Sequence, residues 1–484
     1  MLAARVKGGY YLRREVLPMS QANGLNRRAF LRNAGLTALA GATAGSSTTL
    51  IASTPAATGQ EPTNGKFDFD TVYNRFGTDS TKFDQQIRLY GKDSVQVGMG
   101  IADIDFKAAP SITKAINDRV KHENWGYLDM GVWTPKVTEA VAAWNKRRYG
   151  VTIDPATMVL SNGVHPAIIA VLNTFNPKGS KVLLQTPTYN GFYSDLTASQ
   201  TKAEESPLKF VDGKFQMDFD DFERRISYDT HTFLLCNPQN PTGNCWSPED
   251  LLRIGEICLK HRVIVLADEI HCDWVGKGHK YTPFASLPNK AVVDNSFTFK
   301  AASKSFGLAA HKVAWFYSTN PELMNRAKIN HRADLNTLGM VANHAAVAEG
   351  EDWLRQANEY VDATHDFVNS FVHDKIPLMK VHRAQGTYLT WLDVTGVAER
   401  INSKKLADDY NRTKAANMPS LGAEQMVERF FVKHARVHLN QGASYGKGGE
   451  NHMRMNIGAS RKLVEQALTS MARACSNPVA TDLV

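Results

Sequence analysis

Between residues 181 and 317 short apolar runs alternate with helical stretches, and this alternation limits the possible folds more than any other feature of the chain. The runs occupy 181–185, 232–236, 263–267, 297–299 and 313–317. Four or five residues that are apolar on both faces suit central strands covered by helices, not strands with one wet face. Between two of them, 248–261 sets Leu251, Leu252, Ile254, Ile257 and Cys258 at helical spacing. Strand–helix alternation of this kind implies an α/β fold with a doubly wound, mostly parallel sheet. A chain of 484 residues exceeds one small core, so a second, smaller α+β domain is expected beside the sheet domain.

In open parallel sheets ligands sit beyond the carboxyl ends of the strands, so the residues after each run carry the chemistry. Pro187-Thr188-Tyr189 follows the first, and Asn237-Pro238-Gln239-Asn240-Pro241-Thr242-Gly243 the second. Asp268-Glu269-Ile270-His271 follows the third, and Ser303-Lys304-Ser305-Phe306-Gly307 the fourth. An aromatic ring, an amide, a carboxylate and a lysine would thus converge on one crevice, the set that an aldehyde cofactor built on an aromatic nitrogen ring needs. A lysine closing a buried strand is costly as a purely structural residue, because its ammonium must be desolvated. Upstream, Gly163, Val164 and His165 precede a helix-like run at 167–172, and free N–H groups at a helix start suit a phosphate dianion.

In this order and spacing the N-P-x-N-P-T-G, D-E-I-H and S-K-S-F-G segments resemble fold-type I pyridoxal-phosphate (PLP) enzymes of the aminotransferase superfamily. Within these the chain is most similar to the MalY/PatB-type cystathionine β-lyase (C–S lyase) branch. The likeness begins at Phe67 and includes Asn74-Arg75-Phe76-Gly77-Thr78, Ala102-Asp103-Ile104-Asp105-Phe106, Gly386 to Asp393 and Arg454-Met455-Asn456-Ile457-Gly458. The resemblance implies the aspartate-aminotransferase fold with a seven-stranded sheet. Its segments would be 61–108 (small domain), 109–345 (large PLP-binding domain) and 346–484 (small domain again).

The resemblance also assigns roles. Lys304 would hold the cofactor as a Schiff base and then act as acid and base at the substrate α-carbon. Asp268 would pair with the pyridine nitrogen, Asn240 would donate to the ring's phenolic oxygen, and Tyr189 would stack on the ring. Gly163, Val164, His165 and Ser303 would take the phosphate. Tyr127 would reach the phosphate of a neighbouring subunit, which implies a homodimer. Arg454 would clamp the substrate α-carboxylate, with Ala102 on the substrate side. His271 stands where aminotransferases usually carry a tyrosine, as in the lyase branch. Lys312 stands where they carry an arginine, which leans the other way. The stretch from Ala398 to Glu424 is about twenty residues longer than the family pattern, an expected insertion at the active-site mouth or on the surface.

The first sixty residues read differently. Asn26-Arg27-Arg28-Ala29-Phe30-Leu31-Arg32 matches a twin-arginine export signal, followed by a weakly apolar run at 34–44 and small-residue cleavage sites near Ala42 and Ala52. Met19 would be the true start. This leader holds seven basic residues against Glu15, six of the eight net positive charges, so the body is nearly neutral and offers nucleic acid no basic face. Eleven mildly apolar residues are too few for stable membrane insertion. The five cysteines form no C-x-x-C pair and no metal-ligand spacing, and they read as small buried thiols, with Cys272 the one nearest the chemistry. The expectation is a periplasmic or secreted PLP-dependent C–S β-lyase acting on a small amino acid and exported by the twin-arginine machinery. An aminotransferase, an amino-acid oxidase and a non-catalytic PLP-fold binding protein are the alternatives.

Overall fold

The computed structural model describes residues 62–483, so the arginine motif and Met19 lie outside the described residues. A seven-stranded sheet organises the chain. Its strands are β1 (Val159–Ser161), β2 (Lys181–Thr186), β3 (Lys202–Pro207), β4 (Thr230–Cys236), β5 (Ile264–Asp268), β6 (Ser296–Lys300) and β7 (Ala314–Tyr317), in spatial order β1-β7-β6-β5-β4-β2-β3. β2, β3, β4, β5 and β6 pair in parallel, and β7 runs antiparallel to both β6 and β1.

Successive side chains on a strand point to opposite faces, and here both faces are dry. Leu184, Leu234, Leu266, Phe297 and Phe299 pack with Ala167, Ile168 and Val171 of helix α1 (Val164–Phe175). Leu183, Phe233, Leu235, Val265 and Ala267 pack on the other side with Leu251, Ile254 and Cys258 of helix α2 (Pro248–Lys260). Ser247 caps α2 by accepting the Asp250 amide, and Pro248 occupies its first turn, where a missing N–H costs nothing. The apolar runs therefore locate five strands to within one or two residues. They miss the two edge strands: β1, only three residues long, and β3, whose sequence Lys-Ala-Glu-Glu-Ser-Pro is polar because the strand lies at the sheet edge. A charged edge ending in proline is also how a sheet avoids pairing with a stranger.

A second, four-stranded antiparallel sheet is built from β8 (Lys380–Val381), β9 (Leu389–Asp393), β10 (Asn440–Gln441) and β11 (His452–Asn456), in order β8-β9-β11-β10. Its register puts Arg454 on β11 between Trp391 of β9 and Asn440 of β10. The N-terminal pair Val97–Gly98 joins Val437–His438 in parallel, and that pairing carries the 100–106 segment toward β11. The long segment after residue 398 folds as a helical hairpin, α3 (Ser403–Thr413) and α4 (Ala423–Phe430), with its own small core of Ala407, Tyr410 and Met426. Among the described residues no helix is long and apolar enough to cross a membrane.

Candidate active site

Five strand ends converge as the topology requires. Asp268 is the last residue of β5, opposite Cys236 at the end of β4. It is buried, and burial pushes its carboxyl up to about 7, against the opposing pull of the Ile270 amide at 3.1 Å and of His165. Lys304 follows β6 on a short helical turn, Ala302–Ser305. That turn is tied down from one side, since the Trp274 indole N–H donates to the Lys304 carbonyl at 2.8 Å and Ser305 donates to Asp273. The Lys304 amine donates to the Ala102 carbonyl at 2.8 Å, and the Tyr388 hydroxyl donates to the same oxygen at 3.2 Å. Burial, followed by the Arg454 charge, brings this amine down to about 8, although Asp103 and Asp268 oppose them. An amine in that range is a far better nucleophile and base near neutral pH than an exposed lysine.

Arg454 is 2% exposed. It donates to the Gly100 carbonyl at 2.7 Å and to Asn240 Oδ1 at 3.2 Å, and its guanidinium lies 5.2 Å from the Tyr445 ring centre. Its Nε is buried with no partner. A buried guanidinium with spare donors and no carboxylate on it is a site for an anionic group. Engaging Asn240 through its oxygen also turns the amide NH2 of that residue away from Arg454, as a donor to a ring oxygen requires.

Tyr189, three residues past β2, keeps its phenol protonated because burial pushes it up to about 12. At the start of α1, Gly163 adopts φ +139°, open to glycine and strained for other residues, and Val164 opens the helix. His165 is placed there as expected, but its imidazole turns to Asp195 and Tyr189. His271 is buried edge-on to Tyr388 at 5.6 Å, and its Nδ1 has no partner. Burial, with the Lys304 and Arg454 charges, holds it well below the usual histidine range, so it is neutral. Ser303 is half-buried beside Lys304. Lys312 is exposed in a left-handed conformation and acts on Lys304 only through its charge.

Tyr127 is not brought to the site of its own chain, because its side chain is 108% exposed. Cys272 is an inert buried thiol, pushed up to about 12 by burial. Sequence reasoning missed Asp195, Tyr388, Tyr445 and the Gly100 carbonyl, and of these only Tyr388 lies within a segment that the family pattern marks. Ala102 was expected at the site, and its carbonyl there accepts from Lys304. A separate cavity of about 350 Å³, lined by Ile153, Tyr317, Met324 and Lys328 among others, contains none of these residues.

Comparison with known proteins gives a consistent picture. The family model described as aminotransferase class I and II matches residues 94–471. The cystathionine β-lyase PatB of Bacillus subtilis is 33% identical over 417 residues, 84% of this chain and all of PatB. The protein MalY of Escherichia coli is 26% identical over 416 residues, 84% of this chain and 98% of MalY. Among solved structures, the PLP-bound C–S lyase of Staphylococcus hominis superposes with a TM-score of 0.73 at 26% identity, over 85% of this chain and 99% of that one. The residues present fit that cofactor: a buried reactive amine, a carboxyl at a strand end, an aromatic face, a helix start with a glycine cap, and a buried guanidinium with an unused donor.

Proposed function

The chain belongs to the aminotransferase class I and II family, and from that premise we propose that it is a PLP-dependent carbon–sulfur β-lyase acting on cystathionine or a related cysteine S-conjugate. The observation that carries this reading is the match to PatB, which spans that enzyme's whole length. Bound PLP would supply an electron-accepting ring that takes the electron pair left by the α-proton and allows the β-sulfur to depart as thiolate, and one water then converts the three-carbon remainder to pyruvate and ammonia. The chain's own residues do the rest. Arg454 holds the substrate carboxylate from a fixed position between β9 and β10. Lys304 would hold the cofactor, and its amine, brought down to about 8, would take and return the proton at the substrate α-carbon. Asp268 would keep the ring nitrogen protonated, Asn240 would donate to the ring oxygen, Tyr189 would cover one face, and the α1 start would receive the phosphate.

An aminotransferase shares every residue to that point. Lys312, a cation eight residues after Lys304, favours it as the second reading. The test is release of pyruvate and thiol from L-cystathionine by purified protein with no keto acid added. Sustained release that vanishes in Lys304→Ala supports the lyase; no release, with amino groups passed to an added keto acid, contradicts it.

Two further parts of the reading concern the assembly. The exposed run Trp125, Tyr127, Met130 and Val132 supports a homodimer in which Tyr127 completes the partner's phosphate site. The Arg27-Arg28 leader supports export of the folded, cofactor-loaded protein to the periplasm or beyond.

A further inference from the structure

Behind the Tyr189 ring lies a hydrogen-bonded chain that ends on Asp195, a residue to which the family pattern gives no role. Both carboxylate oxygens of Asp195 lie 2.8 Å from His165 Nδ1, and His165 Nε2 lies 3.3 Å from the Tyr189 hydroxyl. The three residues come from three elements: His165 from α1, Tyr189 from the loop after β2, and Asp195 from the following helix, Gly191–Ala198. Asp195 is 2% exposed, so its charge requires a partner, and His165 is the one it has. The rings of His165 and Tyr189 sit 5.5 Å apart at 37°. The slot between them is kept open by Gly191, where a Cβ would fall 2.5 Å from Tyr189 Cε1 and 2.7 Å from His165 Cε1.

We propose that the Asp195–His165 pair is a positioning device for the cofactor: it fixes the tilt and hydroxyl of the stacking tyrosine, and its charge acts on Asp268. Burial pulls the imidazole down, but the hydrogen bond and charge of Asp195 outweigh it and hold His165 above the usual histidine range. As an imidazolium, His165 donates through Nδ1 to Asp195 and through Nε2 to Tyr189. The Tyr189 oxygen then accepts, and its own O–H is free to donate toward the site. The charged groups acting on His165 are Asp195, Asp268 and Lys304, and those acting on Asp268 are His165, Asp195 and Lys304. Of the side chains, His165 favours the Asp268 carboxylate most and Asp195 opposes it less. Loss of the imidazolium alone is therefore worse for Asp268 than loss of the whole pair.

The device rests on PLP being the cofactor, not on the fate of the substrate, and its test needs no turnover. The probe is the affinity of Lys304→Ala protein for free PLP, measured by absorbance or fluorescence between pH 5.5 and 8.5. This background removes the titration of the lysine and holds the phosphate's own titration constant. Affinity should fall on the acid side as Asp268 takes up a proton. Adding His165→Gln should move that fall upward by about one pH unit, roughly tenfold weaker binding on the acid limb. Adding Asp195→Asn should move it upward by less. Adding Tyr189→Phe should weaken binding at every pH without moving the midpoint. Matching thermal midpoints in the cofactor-free variants show that folding is intact, and Asp195→Asn supplies the comparison if His165→Gln does not fold. An acid limb that stays in place in both His165→Gln and Asp195→Asn overturns the proposal. Absence of PLP binding by the parent protein would instead overturn the cofactor reading beneath it.

Discussion

Lys304 and Asp268 are each displaced toward neutrality by burial, and both consequences are measurable. The Lys304 amine, held near 8, is largely protonated at pH 6 and largely neutral at pH 9. Only the neutral amine attacks an aldehyde, so the rate at which cofactor-free protein takes up PLP should rise with pH through about 8 and level off. A rate flat from pH 6 to 9 would contradict that assignment. Asp268 has a folded value raised to about 7, above its unfolded value near 3.8. The folded protein therefore holds a proton that the unfolded chain has lost, and stability of the cofactor-free protein falls as pH rises from about 4 to about 7. Asp268→Asn should melt higher than the parent at pH 8 when cofactor-free, and should lose most of its cofactor affinity. Arg454→Ala should lower kcat/KM roughly ten- to hundredfold, the worth of a hydrogen bond to a charged group, mostly through KM. Lys304, Asp268, Asn240, Tyr189 and Arg454 were legible because the strand-end rule and the family motifs point to them directly. Asp195 was not, because its partner lies 30 residues away and nothing local marks it; Tyr388 stands in a marked segment, but its partner, the Ala102 carbonyl, lies 286 residues away.

At the scale of elements, the N-terminal segment is held to the site by a buried ion pair. Lys82, fully buried, donates to Asp105 at 2.6 Å and to the Asp103 carbonyl at 3.0 Å, and Arg75 bridges Asp103 and Asp105 from outside. This network fixes the loop whose Ala102 carbonyl receives the Lys304 amine. Lys82→Ala leaves Asp105 buried with a weaker partner and should cost about 3–5 kcal/mol, read in urea melts. Lys82→Met with Asp105→Leu should recover much of that loss. Equal stability of Lys82→Ala and the parent would show that the pair is not structural. The A-D-I-D-F motif was visible in the sequence, but its lysine partner was not, since a buried lysine is the exception. The segment after 398 was legible as extra length only. Only the stretch between its helices is largely exposed: α4 buries Val427 and Phe430 in the main core and sends Glu428 inward to accept from the Tyr90 hydroxyl at 2.7 Å, so it is fastened to the body rather than merely appended.

For the molecule as a whole, five strands and the convergence of their ends followed from periodicity, because a buried parallel sheet imposes dry runs on its sequence, whereas the order of the strands came only from the structure. The edge strand β3 and the antiparallel direction of β7 did not follow from periodicity, since pairing direction leaves no mark in a short apolar run. If Tyr127 serves a partner's phosphate, Tyr127→Ala should weaken PLP retention while leaving the fold intact, and mixing it with Lys304→Ala protein should give hybrid dimers with partial activity. Replacing Arg27-Arg28 by Lys-Lys should retain the protein in the cytoplasm, and unchanged export would remove the leader from the account. The central claim, elimination rather than amino transfer, is tested most directly by counting turnovers. Purified, PLP-loaded protein is given excess L-cystathionine with no keto acid, and pyruvate is measured per active site together with the final form of the cofactor. The account predicts many pyruvates per site with the cofactor returned as the aldehyde. One keto-acid product per site, with the cofactor left as its amine, would contradict it.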